Sequence, residues 1–179
     1  MLAVTVFGAA ASCNIAIEFG ITGPNTANCN SCAAGAIAIG EAVRYIQRGE
    51  AEVMLAGGVE APIAPLSFGA FSVIRAMSKR NHDPERASRP FDKGRDGFVM
   101  GEGAAILVLE EIAHAIRRGA HIYGEVLGYS LTNDAYHMSA PRPTGSQAAR
   151  AIDLALKDAG VDPRDIDYIN AHGSSTPLN

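Results

Sequence analysis

The sequence has no tryptophan, few aromatic residues and no long apolar run. Because no stretch of about 18 consecutive apolar residues occurs, the sequence predicts no membrane span. The apolar start, Met1–Ala11, lacks a basic region and does not resemble a signal peptide. With a net charge of −4 and no run of lysine and arginine, the sequence gives little support for nucleic-acid binding or for polybasic binding to a membrane.

Cysteine is also scarce, since only Cys13, Cys29 and Cys32 are present. Three cysteines do not build the disulfide framework of a small secreted protein, so we expect a reducing, cytoplasmic setting. Leu2–Phe19 is rich in alanine and apolar, which predicts a packed helix that ends at Gly20. Cys13 lies inside this segment, and we expect it to fill the core.

The composition that remains is typical of an α/β protein. The chain has 179 residues, of which 47% are hydrophobic and 19% charged. This length suffices for one domain with its own core.

The stretch Asn25–Gly35 carries the strongest chemical signal. It predicts a short strand, a sharp turn at Cys32 and then a helix, because apolar residues recur at helical spacing from Ala33 until Gly49. Cys32 would then lie at a helix N-terminus, where free N–H groups and the helix dipole favour the nucleophilic thiolate. A buried, inert cysteine in a tight turn is the alternative.

The next segments continue the α/β pattern. Glu52–Ala56, closed by Gly57 and Gly58, predicts a strand, so that strand, helix and strand would form a βαβ unit with a parallel pair. We further expect buried strands at Ala104–Leu109 and His121–Gly128 and a strand at Ile166–Asn170. Helices are predicted at Glu110–Arg118 and from Ser146, as the cap, through Ala159, with Ala149, Ile152, Leu156 and Ala159 facing inward.

Loops separate these elements. Pro62–Ala76 predicts a loop and a short helix whose Phe68 and Phe71 line a pocket or simply pack. Ser78–Asp96 is polar with nearly balanced charges, which is typical of a solvated or self-paired loop. Gly97–Gly103 is rich in glycine but fits neither dinucleotide nor phosphate-loop motifs, so nucleotide binding is disfavoured.

Two histidines lie in contexts that suggest a site. His172 follows the predicted strand Ile166–Asn170 and precedes glycine and hydroxyl residues, the position where open α/β sheets bind ligands. His137 lies in a polar loop before Pro141 and Pro143. For His172, the alternative is a structural histidine with satisfied hydrogen bonds.

Together, these segments resemble the β-ketoacyl-acyl-carrier-protein synthases, and above all the elongating type II bacterial condensing enzymes. The resemblance rests on motifs that occur in order over nearly the whole chain: Cys32-Ala-Ala-Gly35, Val53-Met-Leu-Ala-Gly-Gly-Val-Glu60, Ser88-Arg-Pro-Phe-Asp-Lys93, Arg95-Asp-Gly-Phe-Val-Met-Gly-Glu-Gly103, Asn133-Asp-Ala-Tyr-His137 and Asn170-Ala-His-Gly-Ser-Ser-Thr-Pro177.

The resemblance implies a partial thiolase-like α/β fold. Residues 1–120 would form the end of the N-terminal half, and residues 121–179 the start of the C-terminal half. It also implies a homodimer and an acyl carrier protein as partner. No metal is implied and no cofactor beyond the phosphopantetheine of that carrier.

The resemblance further implies a set of site residues. Cys32 takes the place of the family's nucleophile, which accepts an acyl chain, and its N–H would contribute to the oxyanion hole. His172 would stabilise the enolate formed when malonyl-carrier protein decarboxylates, before a Claisen condensation. Substrate-binding positions fall on Phe71 in the acyl pocket, on His137, and on Ser174 and Thr176 near the pantetheine arm.

The sequence departs from the family pattern in two respects. Asn30 and Ser31 stand where the family usually has threonine and alanine, which affects the expected substrate range. The family's essential lysine, second histidine and glycine-phenylalanine loop have no counterpart in this sequence. We therefore expect a central portion that lacks condensing activity alone, with unpaired strand edges and exposed apolar faces that favour association.

Other functions fit parts of the sequence. Cys29-Asn-Ser-Cys32 has the spacing of a thiol–disulfide oxidoreductase, although the helical pattern begins after Cys32 rather than after Cys29. Half of a zinc site is a weaker alternative, because a second ligand pair is missing. The chain could also be a non-catalytic condensing-enzyme scaffold that binds partners, or part of a polyketide ketosynthase.

Overall fold

The fold is described from a computed structural model, which describes residues 7–179. Helices and two strands alternate along the chain, as expected of an α/β protein. In chain order, the elements are α1 (Ala10–Phe19), α2 (Ala34–Gln47), β1 (Val53–Glu60), α3 (Pro65–Val73), β2 (Gly103–Glu110), α4 (Ile112–Arg117) and α5 (Ser146–Ala159). Short 3-10 turns occur at Ser31–Ala33, Pro84–Arg86 and Pro163–Asp165.

The strands β1 and β2 form a two-stranded sheet. The N–H of Glu111 donates to the carbonyl of Glu52 at 2.9 Å, whereas Gly57, farther along β1, lies against Ala105 and Ile106. The two strands therefore run in opposite directions. The predicted parallel pair is wrong, because Asn25–Asn30 forms no strand before Cys32.

Two glycines lie inside β1 instead of ending it as predicted. A Cβ on Gly57 would lie 2.0 Å from the carbonyl oxygen of Ala105 in β2. A Cβ on Gly58 would lie 3.4 Å from the Cα of Gly35, in the first turn of α2. Glycine in a strand often marks such a close backbone approach, so this pair lets β1 contact both β2 and the start of α2.

The chain divides into two compact units. Unit 1 comprises Met1–Val59, Ala104–Leu131 and Asp153–Gly160, and unit 2 comprises Glu60–Gly103, Thr132–Ile152 and Val161–Asn179. Among the described residues of unit 1, the buried apolar side chains are small apart from that of Ile37. The others are Ala42, Ala56 and Ala115.

One cluster in unit 1 fixes α2 against its neighbours. The Arg44 side chain donates to the carbonyl of Tyr129 at 3.2 Å and to the Asp158 carboxylate at 2.8 Å. That carboxylate also accepts from the Tyr129 N–H at 2.9 Å. These hydrogen bonds hold the pKa of Asp158 below its usual value, the Tyr129 N–H being the largest cause. Gly40 in α2 lies directly beneath the Tyr129 ring.

In unit 2, hydrogen bonds of the polar loops are many, whereas few apolar side chains are buried. Among the described residues of unit 2, the buried apolar residue is Ala87 and the fully buried polar one is Ser175. The loop Ser78–Asp96 pairs largely with itself, as predicted, since the Ser78 hydroxyl donates to Asp96 at 2.7 Å and Arg80 donates to the Gly94 carbonyl at 2.9 Å. The Ser78 hydroxyl is the main cause that lowers the pKa of Asp96.

Several predictions about burial and pairing are wrong. Cys13 is exposed on α1, so it does not fill a core. Strand β2, predicted to be buried, is exposed along most of its length. On α5, Ile152 is 52% exposed and Ala149 is also exposed, although the helix bounds and its end at Gly160 are as predicted. His121–Gly128 and Ile166–Asn170 are not paired strands.

Several large apolar side chains are exposed, as expected for a chain with uncovered apolar faces. Leu66 is 86% exposed, Val73 80% and Ile17 78%. Within residues 7–179, no helix is long and apolar enough to cross a membrane. The same residues contain no group of three or more His, Cys, Asp or Glu side chains arranged to hold a metal ion.

Candidate functional site

Cys32 lies in the 3-10 turn Ser31–Ala33, directly before α2 begins at Ala34. The predicted order of turn and helix is thus present, and the side chain is exposed. Among the described residues, the Cys32 N–H has no hydrogen-bond acceptor. The thiol therefore faces solvent beside this free N–H, directly before the N-terminal end of a 14-residue helix.

The backbone before Cys32 is strained. Ser31 has φ 50°, a left-handed value that L-residues rarely adopt and that costs on the order of 1 kcal/mol or more. Asn28 stabilises this turn from both sides, since its Oδ1 accepts from the Asn30 N–H at 3.2 Å and its Nδ2 donates to the Ala34 carbonyl at 3.1 Å. Sequence reasoning missed Asn28, although the spacing of an Asx turn before the cysteine could have indicated it.

Cys29 is exposed and free, as is Cys32. It lies in the irregular segment before the turn, and its sulfur is 3.1 Å from the position that a Cβ on Gly8 would take. Because α2 starts after Cys32, the N-terminus of the helix is next to Cys32 and not to Cys29. This placement is the reverse of what the oxidoreductase alternative requires.

His172 is exposed and follows a segment of unit 2 that belongs to no helix or strand. Its ring has no hydrogen-bond partner among the described residues. The loop that follows is tightly turned, since Gly173 has φ 59° and Ser175 has φ 65°. The hydroxyls of Ser174 and Thr176 lie 2.9 Å apart, so the structure brings this pair of predicted site residues together.

The two other predicted site residues also lie in unit 2. The Phe71 ring packs edge-on against Phe98, with the ring centroids 5.6 Å apart, and Phe98 lines a cavity of about 130 Å³ together with Phe68. His137 Nδ1 accepts from the N–H groups of Ser139 and Ala140 at 3.1 Å each. Because Nδ1 acts as an acceptor, the neutral ring carries its proton on Nε2, which is left to donate.

The predicted site residues are therefore divided between the units. Cys32 belongs to unit 1, and Phe71, His137, His172, Ser174 and Thr176 belong to unit 2. Their convergence on one cleft stays a prediction, as does the predicted boundary between residues 120 and 121.

The strongest ionic perturbation lies outside these residues. At the end of β2, Glu110 accepts a two-pronged hydrogen bond from Arg118, at 2.7 and 2.6 Å, and a further contact from His114 Nδ1. Arg118 is the largest cause that lowers the pKa of Glu110 to about 2. A carboxylate held ionised in this way serves structure, because it connects β2 to α4.

Comparison with known proteins relates both parts of the chain to one group. Residues 1–115 match the family described as "Beta-ketoacyl synthase, N-terminal domain", and residues 123–179 match "Beta-ketoacyl synthase, C-terminal domain". A 3-oxoacyl-(acyl-carrier-protein) synthase 2 of Synechocystis sp. is 58% identical over 164 residues, which cover 92% of this chain and 39% of the relative. The Staphylococcus aureus protein of the same name is 52% identical, with 92% and 40% covered. The chain thus spans about two fifths of the length of these relatives.

Solved structures show the same likeness. A ketosynthase of a type II polyketide system, in complex with its acyl-carrier protein, has a TM-score of 0.93 and 45% identity over 96% of this chain and 42% of that chain. A β-ketoacyl synthase from Burkholderia phymatum has a TM-score of 0.86 and 42% identity over 95% and 41% of the two chains.

Proposed function

The chain belongs to the β-ketoacyl synthase family and has part of its thiolase-like fold, and from this premise we propose that it supplies the acyl-accepting centre of a 3-oxoacyl-(acyl-carrier-protein) synthase. Such an enzyme joins an acyl chain to malonate with loss of CO₂ during fatty-acid elongation. The identity of 58% to a relative with that name, against 45% to a polyketide ketosynthase, favours fatty-acid over polyketide synthesis.

In the first step, the Cys32 thiolate attacks the thioester carbonyl of an acyl group carried on phosphopantetheine. A bond forms between the carbonyl carbon and the Cys32 sulfur, and the bond to the pantetheine sulfur breaks, so that the pantetheine thiolate leaves and takes a proton from solvent, to which the Cys32 thiol had lost its own. The N-terminus of α2 supports the step twice. Its dipole stabilises the attacking thiolate, and the free Cys32 N–H is suited to donate to the oxyanion of the tetrahedral intermediate.

In the second step, His172 acts on the malonyl thioester. When malonyl-carrier protein loses CO₂, the electron pair of the broken C–C bond moves onto the thioester oxygen as an enolate. A hydrogen bond from His172 Nε2 to that oxygen stabilises the developing charge. The enolate carbon then attacks the acyl carbonyl on Cys32, the Cys32 thiolate leaves, and a 3-oxoacyl chain remains on the carrier.

The remaining predicted residues would bind substrate. Ser174 and Thr176 offer adjacent hydroxyls for the amide groups of the pantetheine arm, and His137 offers an Nε2 donor in the same unit. Phe71 would line the acyl pocket. We propose an acyl carrier protein as the partner, a homodimer as the assembly and the cytoplasm as the location.

The observation that carries the proposal is the position of Cys32, exposed in the turn that starts α2. To test it, the 164 aligned residues of this chain would replace the matching segment of the Synechocystis enzyme, a protein called the chimera below. A carrier protein whose phosphopantetheine bears an acyl group is added, and mass spectrometry locates the acyl group on the chimera. Malonyl-carrier protein is then added, and the 3-oxoacyl product is measured.

We expect the acyl group on the peptide that contains Cys32. In Cys32→Ala, both this acylation and the 3-oxoacyl product should be absent. Cys29→Ala and Cys13→Ala serve as matched controls that retain both. Acylation that moves to Cys29, or persists in Cys32→Ala, would refute the assignment. A disulfide between Cys29 and Cys32 at a defined potential, without acylation, would favour the oxidoreductase alternative.

A further inference from the structure

Ser175 is the fully buried polar side chain in unit 2, and both of its oxygens are bonded to one neighbouring loop. Its Oγ accepts from the Arg89 N–H at 3.0 Å, and its carbonyl accepts from the Gly97 N–H at 3.0 Å. The residue also holds a left-handed φ of 65°. A buried hydroxyl on a strained backbone persists only where its surroundings fix it, so this contact is specific.

Arg95 fixes the residues that follow Ser175. Its Nε donates to the Thr176 carbonyl at 2.9 Å, and its Nη2 donates to the Pro177 carbonyl at 2.8 Å. Its Nη1 donates to the Asp92 carbonyl in its own loop at 2.9 Å. One planar guanidinium thus joins two loops through three backbone carbonyls, and a lysine ammonium could not reproduce this fixed fork.

Among the described residues, these contacts are the ones that fix the backbone next to His172. No described residue bonds to the His172 ring, and the segment before it belongs to no helix or strand. The backbone immediately after it, Gly173–Pro177, is fixed through Ser175, Thr176 and Pro177.

We propose that Ser175 and Arg95 are positioning residues that hold the loop Gly173–Pro177, and thereby place His172 for its contact with the malonyl thioester. The inference rests on the proposed function. It concerns the placement of His172, which acts in the second chemical step alone, whereas Ser174 and Thr176 of the same loop would bind the pantetheine arm in both steps. Loss of either residue therefore impairs decarboxylation of the malonyl group far more than acylation of Cys32.

The test uses the chimera with Ser175→Ala, Ser175→Gly, Arg95→Gln and Arg95→Lys. Ser175→Gly removes the hydroxyl and relieves the left-handed backbone, so it separates the hydrogen bond from the strain. Lys93→Gln is the matched control, since Lys93 is an exposed cation of the same loop without a hydrogen bond or ion pair among the described residues. Acylation of Cys32 in a single turnover and release of CO₂ from malonyl-carrier protein are measured separately, each at a saturating concentration of the loaded carrier, so that weaker pantetheine binding through Ser174 and Thr176 does not affect either rate.

We expect kcat for CO₂ release to fall about 10- to 100-fold in each Ser175 and Arg95 variant, as for a misplaced catalytic group, while acylation falls by less than about threefold. Arg95→Lys does not rescue the loss, and Lys93→Gln leaves both rates within about twofold of the unmutated chimera. A parallel fall of both rates, or no fall in CO₂ release, overturns the positioning role. An unmutated chimera without either reaction refutes the proposed function instead.

A second measurement needs no activity. Amide hydrogen exchange is followed in the 179-residue chain and in its Ser175→Ala variant. Since the Arg89 N–H loses its acceptor, its exchange should become about tenfold faster, as expected for the loss of one buried hydrogen bond, while exchange within α1 is unchanged. Equal protection of Arg89 in both proteins overturns the proposed contact.

Discussion

Replacement of Gly40 by alanine should destabilise the helix that Cys32 precedes. A Cβ at this position would lie 2.2, 2.3 and 2.4 Å from the Cδ2, Cε2 and Cγ atoms of the Tyr129 ring. Carbon atoms in contact are normally at least about 3.5 Å apart, so the ring would have to move by more than 1 Å. Its backbone is held by Asp158 and Arg44, which prevents such a movement without loss of hydrogen bonds.

The magnitude follows from two opposing effects. Overpacking of this kind costs about 1–3 kcal/mol, whereas alanine in place of glycine inside a helix gains about 1 kcal/mol. We expect a net loss of about 0–2 kcal/mol in the free energy of unfolding, measured with urea. Gly69→Ala is the matched control, because Gly69 lies in α3 with no atom within 4 Å of the added Cβ. It should stabilise the chain by about 0.5–1 kcal/mol.

A double-mutant cycle identifies the cause. In a Tyr129→Ala background the ring is absent, so Gly40→Ala should become neutral or stabilising. The reasoning is refuted if Gly40→Ala stabilises the otherwise unmutated chain as Gly69→Ala does, since the Tyr129 ring would then not lie over α2.

Other predictions concern the same packing and the turn at Cys32. Tyr129→Phe should lower the free energy of unfolding by less than about 1 kcal/mol, or should raise it, because the Tyr129 hydroxyl is buried without a hydrogen-bond partner among the described residues. A larger loss of stability would show that this hydroxyl makes a hydrogen bond. Asn28→Ala should cost about 1–2 kcal/mol by urea unfolding, whereas Asn28→Asp keeps the bond to the Asn30 N–H and should cost about half; equal costs would contradict the two-sided contact. Glu110 has its pKa lowered to about 2, so its contribution is present above the ordinary value of 4.5 and is lost as pH falls toward 2. Glu110→Gln should therefore be less stable than the unmutated chain at neutral pH, with a difference that shrinks between pH 4.5 and 2, and a constant difference would exclude the linkage.

The sequence predicts those features that depend on neighbours along the chain. The turn at Cys32, the start of α2 and the bounds of α5 follow from helical spacing and from glycines at helix ends. The β-ketoacyl synthase family was likewise predicted, because its motifs are ordered and specific. The thiolase-like fold class is confirmed with it.

The features that could not be predicted from the sequence, namely strand pairing, close backbone contacts and burial, depend on neighbours in space. Ile166–Asn170 has a strand composition, but a strand also requires a hydrogen-bonding neighbour, and the described residues do not provide one. Gly57 and Gly58 suggested a strand end, whereas β2 and α2 approach them inside the strand. Cys13 and Ile152 have apolar neighbours in sequence, yet burial requires a second surface that covers them.

The site follows the same division. Cys32 and His172 are predicted from local motifs, whereas Asn28, Ser175 and Arg95 each make two or three hydrogen bonds to the backbone of a strained turn or of a loop. Such contacts leave little periodic signal in a sequence. The contacts of Ser175 and Arg95 become visible only when the loop Ser78–Asp96 and the loop Gly173–Pro177 are placed together within unit 2.

The most direct test of the account is a crosslink between Cys32 and His172. A short bifunctional alkylating reagent is added to the chimera, where the Cys32 thiolate reacts first and the tethered second group then alkylates a nearby nucleophile. The account predicts one crosslinked peptide pair that joins Cys32 to His172 and is lost in Cys32→Ala and in His172→Ala. A reagent that attaches to Cys32 but links it to another histidine, or to none, would contradict a shared catalytic cleft.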